Sequence, residues 1–378
     1  MDEQRPQLAV GLEGVYINNS KICLIDGQKG TLLYRGYDAA ELAEHSSHEE
    51  TCFLLLNERL PIEKELKAFN KKLASERKLP KHVLQEMKSF SKQMNPMEAL
   101  RTTVSSLGVN QADARKLSIE EQKEIGVSLI AKFPSIVASH HRIRQGEKPV
   151  KPSTELSNAG NFLFMLNGKK PDAFSEKALD TDLILHAEHE LNASTFALRV
   201  AVSTFADLVS AITSGIATLK GPLHGGAAEM AMQMLKEIKN KEHARKYVLE
   251  SLAKKERIMG FGHRVYKTMD PRAVVLKKLS RELGEKRHES KWFEVSEEIE
   301  KTLLEQKNLY PNVDFYAASV YHYLGITTEL YTPIFAASRS AGWVAHALEQ
   351  YADNRLIRPL LLYNGPKDLK YVPIEERK

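Results

Sequence analysis

The sequence has only two cysteines, Cys23 and Cys52, among 378 residues. That is too few for a disulfide framework and fits a reducing compartment. No apolar run approaches the roughly 20 residues that a membrane-spanning helix needs. The first residues carry Asp2, Glu3, Gln4 and Arg5 where a secretory signal would have its apolar core. These absences predict a cytoplasmic protein with no membrane partner. Concentrated positive charge is absent too. The net charge is only +5, and the pairs Lys71-Lys72, Lys254-Lys255 and Lys277-Lys278 alternate with acids as solvated helix faces do. No nucleic-acid partner is expected from that pattern. Repeats and low-complexity segments are missing. Strand-forming sequence is scarce as well, confined to Val15-Tyr16-Ile17, Ile22 to Ile25 and Thr31 to Tyr34, with turn residues between them.

The remainder reads as helix. Hydrophobic residues make up 42% and charged residues 27%, ordinary for a soluble globular chain whose length suits two or three domain-sized units. Ser47 with Glu50 and Ser118 with Glu121 are capping-box patterns, and Asn95-Pro96 and Asp270-Pro271 are helix starts. Pro134 should kink or break the run that Ser118 opens. A helix is expected from about Ser175 to Glu190, and Ser194 caps a long segment toward Leu219. Further helices follow from Ala228 onward, and a last long one starts at Thr332-Pro333. The expectation is an all-α protein with a small antiparallel β segment near its N-terminus.

Chemistry starts at Leu219-Lys220-Gly221-Pro222-Leu223-His224-Gly225-Gly226-Ala227, where a histidine stands among glycines just ahead of an amphipathic run. The unpaired N–H groups and positive dipole end of the following helix should keep His224 neutral and able to donate to an oxygen that gains charge. A second histidine, His263, lies in Gly260-Phe261-Gly262-His263-Arg264-Val265-Tyr266-Lys267. Asp270-Pro271-Arg272 follows and puts Arg272 in a first helical turn, suited to a carboxylate. Asp314, before an apolar helical run, is either a helix cap or a carboxylate desolvated by aromatic neighbours and raised in pKa to act as a base. His186 and His189 fall three apart, on one face of a helix. They lack the zinc-peptidase order and a third ligand, so no metal is expected. One of the two is read as a packed helix histidine and the other as available to a ligand. Arg272, Arg339 among small residues and Arg358 beyond the last helix together suit a small dicarboxylate.

This series resembles the citrate synthase family. Gly221 to Ala227, Gly260 to Lys267 with Asp270-Pro271-Arg272, and Pro311-Asn312-Val313-Asp314 stand in family order. So do His186-Ala187-Glu188-His189-Glu190, Phe335 with Arg339, and Arg355-Leu356-Ile357-Arg358-Pro359. The likeness starts at Gly11-Leu12-Glu13-Gly14 and runs almost to the C-terminus. It implies the citrate synthase-like two-domain fold, with a large domain from residues 1–221 and 325–378 and a small domain from 222–324. It also implies a homodimer and the reaction of acetyl-CoA, oxaloacetate and water to citrate and CoA.

By the same resemblance Asp314 removes the methyl proton, His224 stabilises the enol or enolate, and His263 polarises the oxaloacetate carbonyl. His189, Arg272 and Arg339 bind oxaloacetate, and Arg358 reaches the other subunit's site. Lys267 and Arg264 meet the CoA phosphates. No metal or prosthetic group is implied, and acetyl-CoA is a co-substrate. The early start of the likeness implies neither a mitochondrial leader nor the extension of NADH-inhibited members. Two alternatives remain at this stage: a 2-methylcitrate synthase using propionyl-CoA, and a non-catalytic helical dimer acting as a scaffold.

Overall fold

The computed structural model describes residues 8–109 and 111–377. The β segment is a three-stranded antiparallel sheet of Cys23–Asp26, Thr31–Tyr34 and Tyr37–Asp38 in consecutive order. Cys23 stands opposite Tyr34, and Asp26 opposite Thr31. The intervening turn closes where Asp26 Oδ1 accepts from the backbone N–H groups of Gln28 and Lys29. The strand expected at Val15-Tyr16-Ile17 does not form. Tyr16 is 95% exposed, so its β-prone side chains have no layer to pack on.

From Ala39 to Ala352 the α-helices follow one another, and the expected caps start several of them. Ser47 accepts from Glu50 N ahead of His48–Asn57, Asn95 accepts from Met97 N ahead of Pro96–Ser106, and Ser118 and Glu121 close a reciprocal box ahead of Ile119–Arg144. That last helix continues through Pro134, so of the expected kink or break the break does not occur. Proline removes one N–H bond to the preceding turn. The stretch around it is buried, with Phe133 edge-on to Trp343 at 6.5 Å, and this packing outweighs the missing bond.

The segment toward Leu219 is two helices rather than one, Ala193–Ser203 and Leu208–Leu219, packed on each other. Their caps are Asn192 and Asp207, not Ser194, and Phe205 with φ 61° breaks the run. Helix Ala173–His186 ends before His189, so the two histidines do not share a helix face.

Helix Tyr331–Ala352 is the axis of the molecule. Every residue from Tyr331 to Leu348 is buried, as expected of a helix surrounded on all sides. It packs against His48–Asn57, Ile119–Arg144, Ala173–His186, Ala193–Ser203 and Leu208–Leu219. Helices Ala227–Ile238, Lys241–Ala253, Pro271–Lys286, Lys291–Lys307 and Val313–Tyr323 pack mainly on one another. They meet the first group through Ala39–His45, Ala173–His186 and the contact of Ala227–Ile238 with the central helix. After Ala352 the chain lies on the surface, with Leu360, Leu361, Tyr363, Leu369 and Tyr371 exposed. Among the described residues no helix is long and apolar enough to cross a membrane.

Candidate active site

His224 sits in a tight turn held by Gly225, whose N–H donates to Leu219 O at 3.0 Å. A Cβ on Gly225 would meet that same oxygen at 2.6 Å and Thr332 Cγ2 at 2.8 Å, so only glycine fits. The helix end facing the imidazole is not the one that follows it, as the sequence led us to expect. It is the start of Ala193–Ser203: the Ser194 backbone N–H donates to His224 Nε2 at 3.3 Å, and Ser194 Oγ lies 2.8 Å from the same nitrogen. Trp343 Nε1–H donates into Ser194 Oγ at 3.2 Å, and Asn192 Oδ1 lies 2.8 Å from the same hydroxyl. Because a backbone amide can only donate, Nε2 is an acceptor and the ring proton belongs on Nδ1. Burial, with Arg339 adding to it, pushes the His224 pKa down to about 4, so the ring is neutral.

His263 is fixed in the opposite tautomer. Its Nδ1 accepts from the backbone N–H of Val265 at 3.0 Å and of Tyr266 at 3.1 Å, leaving the proton on Nε2. Burial and the nearby Arg272 push its pKa down to about 4. Gly260, at φ 80°, brings this loop against helix Val313–Tyr323, where a Cβ would lie 2.7 Å from Phe315 Cβ. The His263 ring lies 4.6 Å from that of Tyr266 and 5.2 Å from that of His189. His189, in the loop after Ala173–His186, is buried with Nε2 at 3.3 Å from the Tyr266 hydroxyl. Burial and Arg272 hold its pKa well below the usual imidazole value.

Two guanidinium groups stand among these rings. Arg272 begins helix Pro271–Lys286 and is gripped by its own cap, donating from Nε and Nη2 to the two Asp270 carboxylate oxygens at 3.0 and 2.8 Å. Asp270 also accepts from Val313 N, tying the helix starts together. Nη1 of Arg272 is the nitrogen not committed to this pair. Arg339, in the middle of the central helix, donates from Nε to His186 O at 2.8 Å and lies over the Phe335 ring at 4.8 Å. Its Nη2 is buried without a hydrogen-bond partner among the described residues. A buried cation with an idle donor is costly unless an anion completes it.

Asp314 turns out not to be the helix cap. Asn312 does that work, accepting from Asp314 N at 3.1 Å, and the Asp314 carboxylate makes no hydrogen bond among the described residues. Desolvation pushes its pKa up to about 6, opposed by His186, Arg272 and Arg339. His186 is the packed histidine of the pair. Its Nδ1 lies 3.1 Å from Asp182 O and 3.2 Å from Asp182 Oδ1, and its ring is edge-on to Phe335 at 5.0 Å. Phe335 also meets the His224 ring at 6.1 Å. Arg339 acts electrostatically on Asp314, His189 and His224, and Arg272 on Asp314, His189 and His263, so these residues form one cluster.

Lys267, Arg264 and Arg358 are all exposed; Lys267 acts electrostatically on His263, and its Nζ donates to Arg264 O. Among the described residues no group of three or more His, Cys, Asp and Glu side chains forms a metal cradle. Sequence reasoning did not assign Ser194, Trp343, Asn312 or Asp182 to this site. The asparagine two residues before Asp314 was the one local signal, since asparagine is among the strongest helix caps.

Neutral imidazoles with fixed protons, an unbound carboxylate near neutrality and a guanidinium lacking an anion can do a particular kind of work: hold a small polyanion and move a proton beside it. The class is therefore a mainly helical enzyme. Comparison with known proteins makes it specific. The family model described as "Citrate synthase, C-terminal domain" matches residues 11–360, and the chain belongs to the citrate synthase family. It is 50% identical to "Citrate synthase 2" of Bacillus subtilis over 97% of this chain and 98% of the relative. It is 39% identical to a 2-methylcitrate synthase of Shewanella oneidensis over the whole of both. The solved ternary complex of citrate synthase from Thermoplasma acidophilum with carboxymethyl coenzyme A and oxaloacetate superposes with a TM-score of 0.92. It is 35% identical, with 98% of this chain and 100% of that one covered.

Proposed function

We propose that this citrate synthase family enzyme condenses acetyl-CoA with oxaloacetate and hydrolyses the citryl-CoA to citrate and CoA. The observation that carries the reading is the Asp314 carboxylate, freed from capping by Asn312 and raised by burial, in one cluster with two imidazoles whose protons are fixed. Asp314 takes a proton from the acetyl methyl group. His224 Nδ1–H donates to the thioester oxygen as it becomes negative; one such preorganised donor is worth roughly 3–4 kcal/mol. The enol carbon then attacks the oxaloacetate ketone; the C=O π bond opens onto its oxygen, which is stabilised by His263 Nε2–H and takes up a proton, in balance with the one Asp314 removed, to become the hydroxyl of citryl-CoA. Water cleaves the thioester and CoA leaves as the thiol.

His189, Arg272 and Arg339 bind the oxaloacetate carboxylates, and the idle Nη2 of Arg339 is the donor that such an anion satisfies. Lys267 and Arg264, exposed on the His263 loop, meet the CoA phosphates. Residues 1–221 and 325–378 form the large domain and 222–324 the small one; the mutual packing of the five helices in the latter supports this. The two close over oxaloacetate before acetyl-CoA binds, which keeps water from the thioester until condensation is done.

The enzyme works as a cytoplasmic homodimer. The apolar side chains exposed after Ala352 support a second copy as their cover, and Arg358 in that segment completes the partner's site. A non-catalytic scaffold leaves Asp314, His224 and His263 without a reason to cluster. Propionyl-CoA as acyl donor is the second reading, favoured by the 39% identity to a 2-methylcitrate synthase. One methylene is worth only about 1–3 kcal/mol of discrimination.

The test is oxaloacetate-dependent release of CoA thiol from acetyl-CoA and from propionyl-CoA, with the acid product identified. Acetyl preference and citrate are expected. Propionyl preference keeps the mechanism and changes the substrate, and thiol release from neither removes the reading. Equal rates of acetyl-CoA hydrolysis with and without oxaloacetate contradict the ordered closure.

A further inference from the structure

Tyr266 has no role in the proton transfers above, yet it touches both histidines assigned to oxaloacetate. It is buried. Its hydroxyl lies 3.3 Å from His189 Nε2, its ring lies 4.6 Å from that of His263, and its backbone N–H donates to His263 Nδ1 at 3.1 Å. The next residue anchors the loop, since Lys267 N donates to Gly27 O at 2.9 Å. A Cβ on Gly27 would meet Val265 O at 2.2 Å, so the loop is pressed against the β turn on that side as well. His189 belongs to the loop after helix Ala173–His186, whereas His263 belongs to the loop ahead of Pro271–Lys286. Tyr266 is thus the side chain that joins the two loops between the rings.

We propose that Tyr266 is a positioning residue for oxaloacetate, resting on the function proposed above. Its hydroxyl donates to His189 Nε2 and holds that ring with its proton on Nδ1, while its ring and backbone N–H hold His263 with its proton on Nε2. One residue in this way presents two imidazole N–H donors to the same substrate. The hydroxyl governs binding through His189, and the ring governs the chemical step through His263. A buried tyrosine that merely needs a hydrogen-bond partner would contribute to folding alone.

The test uses the full chain as wild type, Tyr266→Phe and Tyr266→Leu. Oxaloacetate is varied at saturating acetyl-CoA, and melting temperature is measured alongside. Tyr266→Phe keeps the ring and loses the hydroxyl, so kcat/KM for oxaloacetate falls about tenfold, the worth of one hydrogen bond at the upper end of its range, mainly through KM. Tyr266→Leu loses both contacts, and its further loss falls on kcat. Restoration of the kcat by phenylalanine at a position where leucine fails is a result that a general packing defect does not produce. An unchanged oxaloacetate KM in Tyr266→Phe overturns the proposal. So does equal impairment of kcat in both variants with a matching drop in melting temperature. If Tyr266→Leu does not fold, the KM-against-kcat split of Tyr266→Phe decides alone. A wild type without oxaloacetate-dependent turnover removes the function and this proposal together, whereas an active wild type with an unaffected Tyr266→Phe removes only the latter.

Discussion

The central helix and the segment that leaves it could hardly differ more, although they are continuous. From Tyr331 to Leu348 every side chain is buried, Arg339 among them, held by the His186 carbonyl and the Phe335 ring. Past Ala352 the chain turns outward and Leu361 is 98% exposed, with Leu360, Tyr363, Leu369 and Tyr371 also in solvent. Both stretches are rich in apolar residues, so composition does not separate them. What separates them is whether this chain supplies the cover. Large exposed apolar patches mark interaction surfaces, and the proposed second copy is the occupant that also gives Arg358 a task. The site is accordingly read as an interior part that one chain builds and an edge that needs two.

That contrast can be broken most forcefully from the inside. Asp314→Ala is expected to cut turnover by about a thousandfold, within the range for general-base catalysis, with oligomeric state and oxaloacetate affinity unchanged. His224→Ala should cost about a hundredfold or more, the worth of one oxyanion donor. Steady-state kinetics and light scattering on the same samples check both.

The two arginines, one from the interior and one from the edge, should fail differently. Arg339→Ala and Arg358→Ala each weaken oxaloacetate binding about ten- to a hundredfold, as loss of a charge-assisted contact does. Only the Arg358 defect can be complemented from another chain. Mixed subunits of Asp314→Ala and Arg358→Ala contain one site with both residues intact and should regain turnover at low oxaloacetate that neither homodimer has. Mixed subunits of Asp314→Ala and Arg339→Ala test the contrast directly: because both residues come from the same chain, each site lacks one of them and turnover at low oxaloacetate does not return. Failure of the first mixture or success of the second reverses the assignment.

The pH profile sharpens the interior reading. The proposed base acts as a carboxylate, and its pKa in the free protein is pushed up to about 6, so kcat/KM should fall about tenfold per unit as pH drops below that value and level off above it. His224 and His263, pushed down to about 4, remain neutral throughout and add no inflection near pH 7. The smallest effect is expected from Ser194→Ala, a few-fold in kcat, because the backbone N–H that fixes the His224 tautomer survives. A loss as large as that of His224→Ala would mean that the hydroxyl, not the amide, sets the tautomer.

Much of this architecture was legible because its signals are local. Ser47, Asn95 and Ser118 cap the helices they were expected to cap, and Asp270-Pro271 starts one at the expected residue. Where the sequence misled, a distant partner had intervened. Pro134 reads as a stop until Phe133 is found against Trp343, and Ser194 reads as a cap until it is found holding His224 under the Trp343 indole. Asp314 was nominated in two roles. The neighbouring Asn312, whose side chain takes the capping bond, removes the first of them. The proton positions on His224 and His263 were not legible at all, because they depend on backbone N–H directions that emerge only from the folded loops.

The most direct test of the central claim is CoA thiol release by wild type and Asp314→Ala, with and without oxaloacetate, beside calorimetric binding of oxaloacetate to both. We predict that wild type releases thiol from acetyl-CoA only when oxaloacetate is present and forms citrate, while Asp314→Ala binds oxaloacetate as tightly and releases almost none. Oxaloacetate-independent release by wild type, or wild-type turnover by Asp314→Ala, would contradict the account.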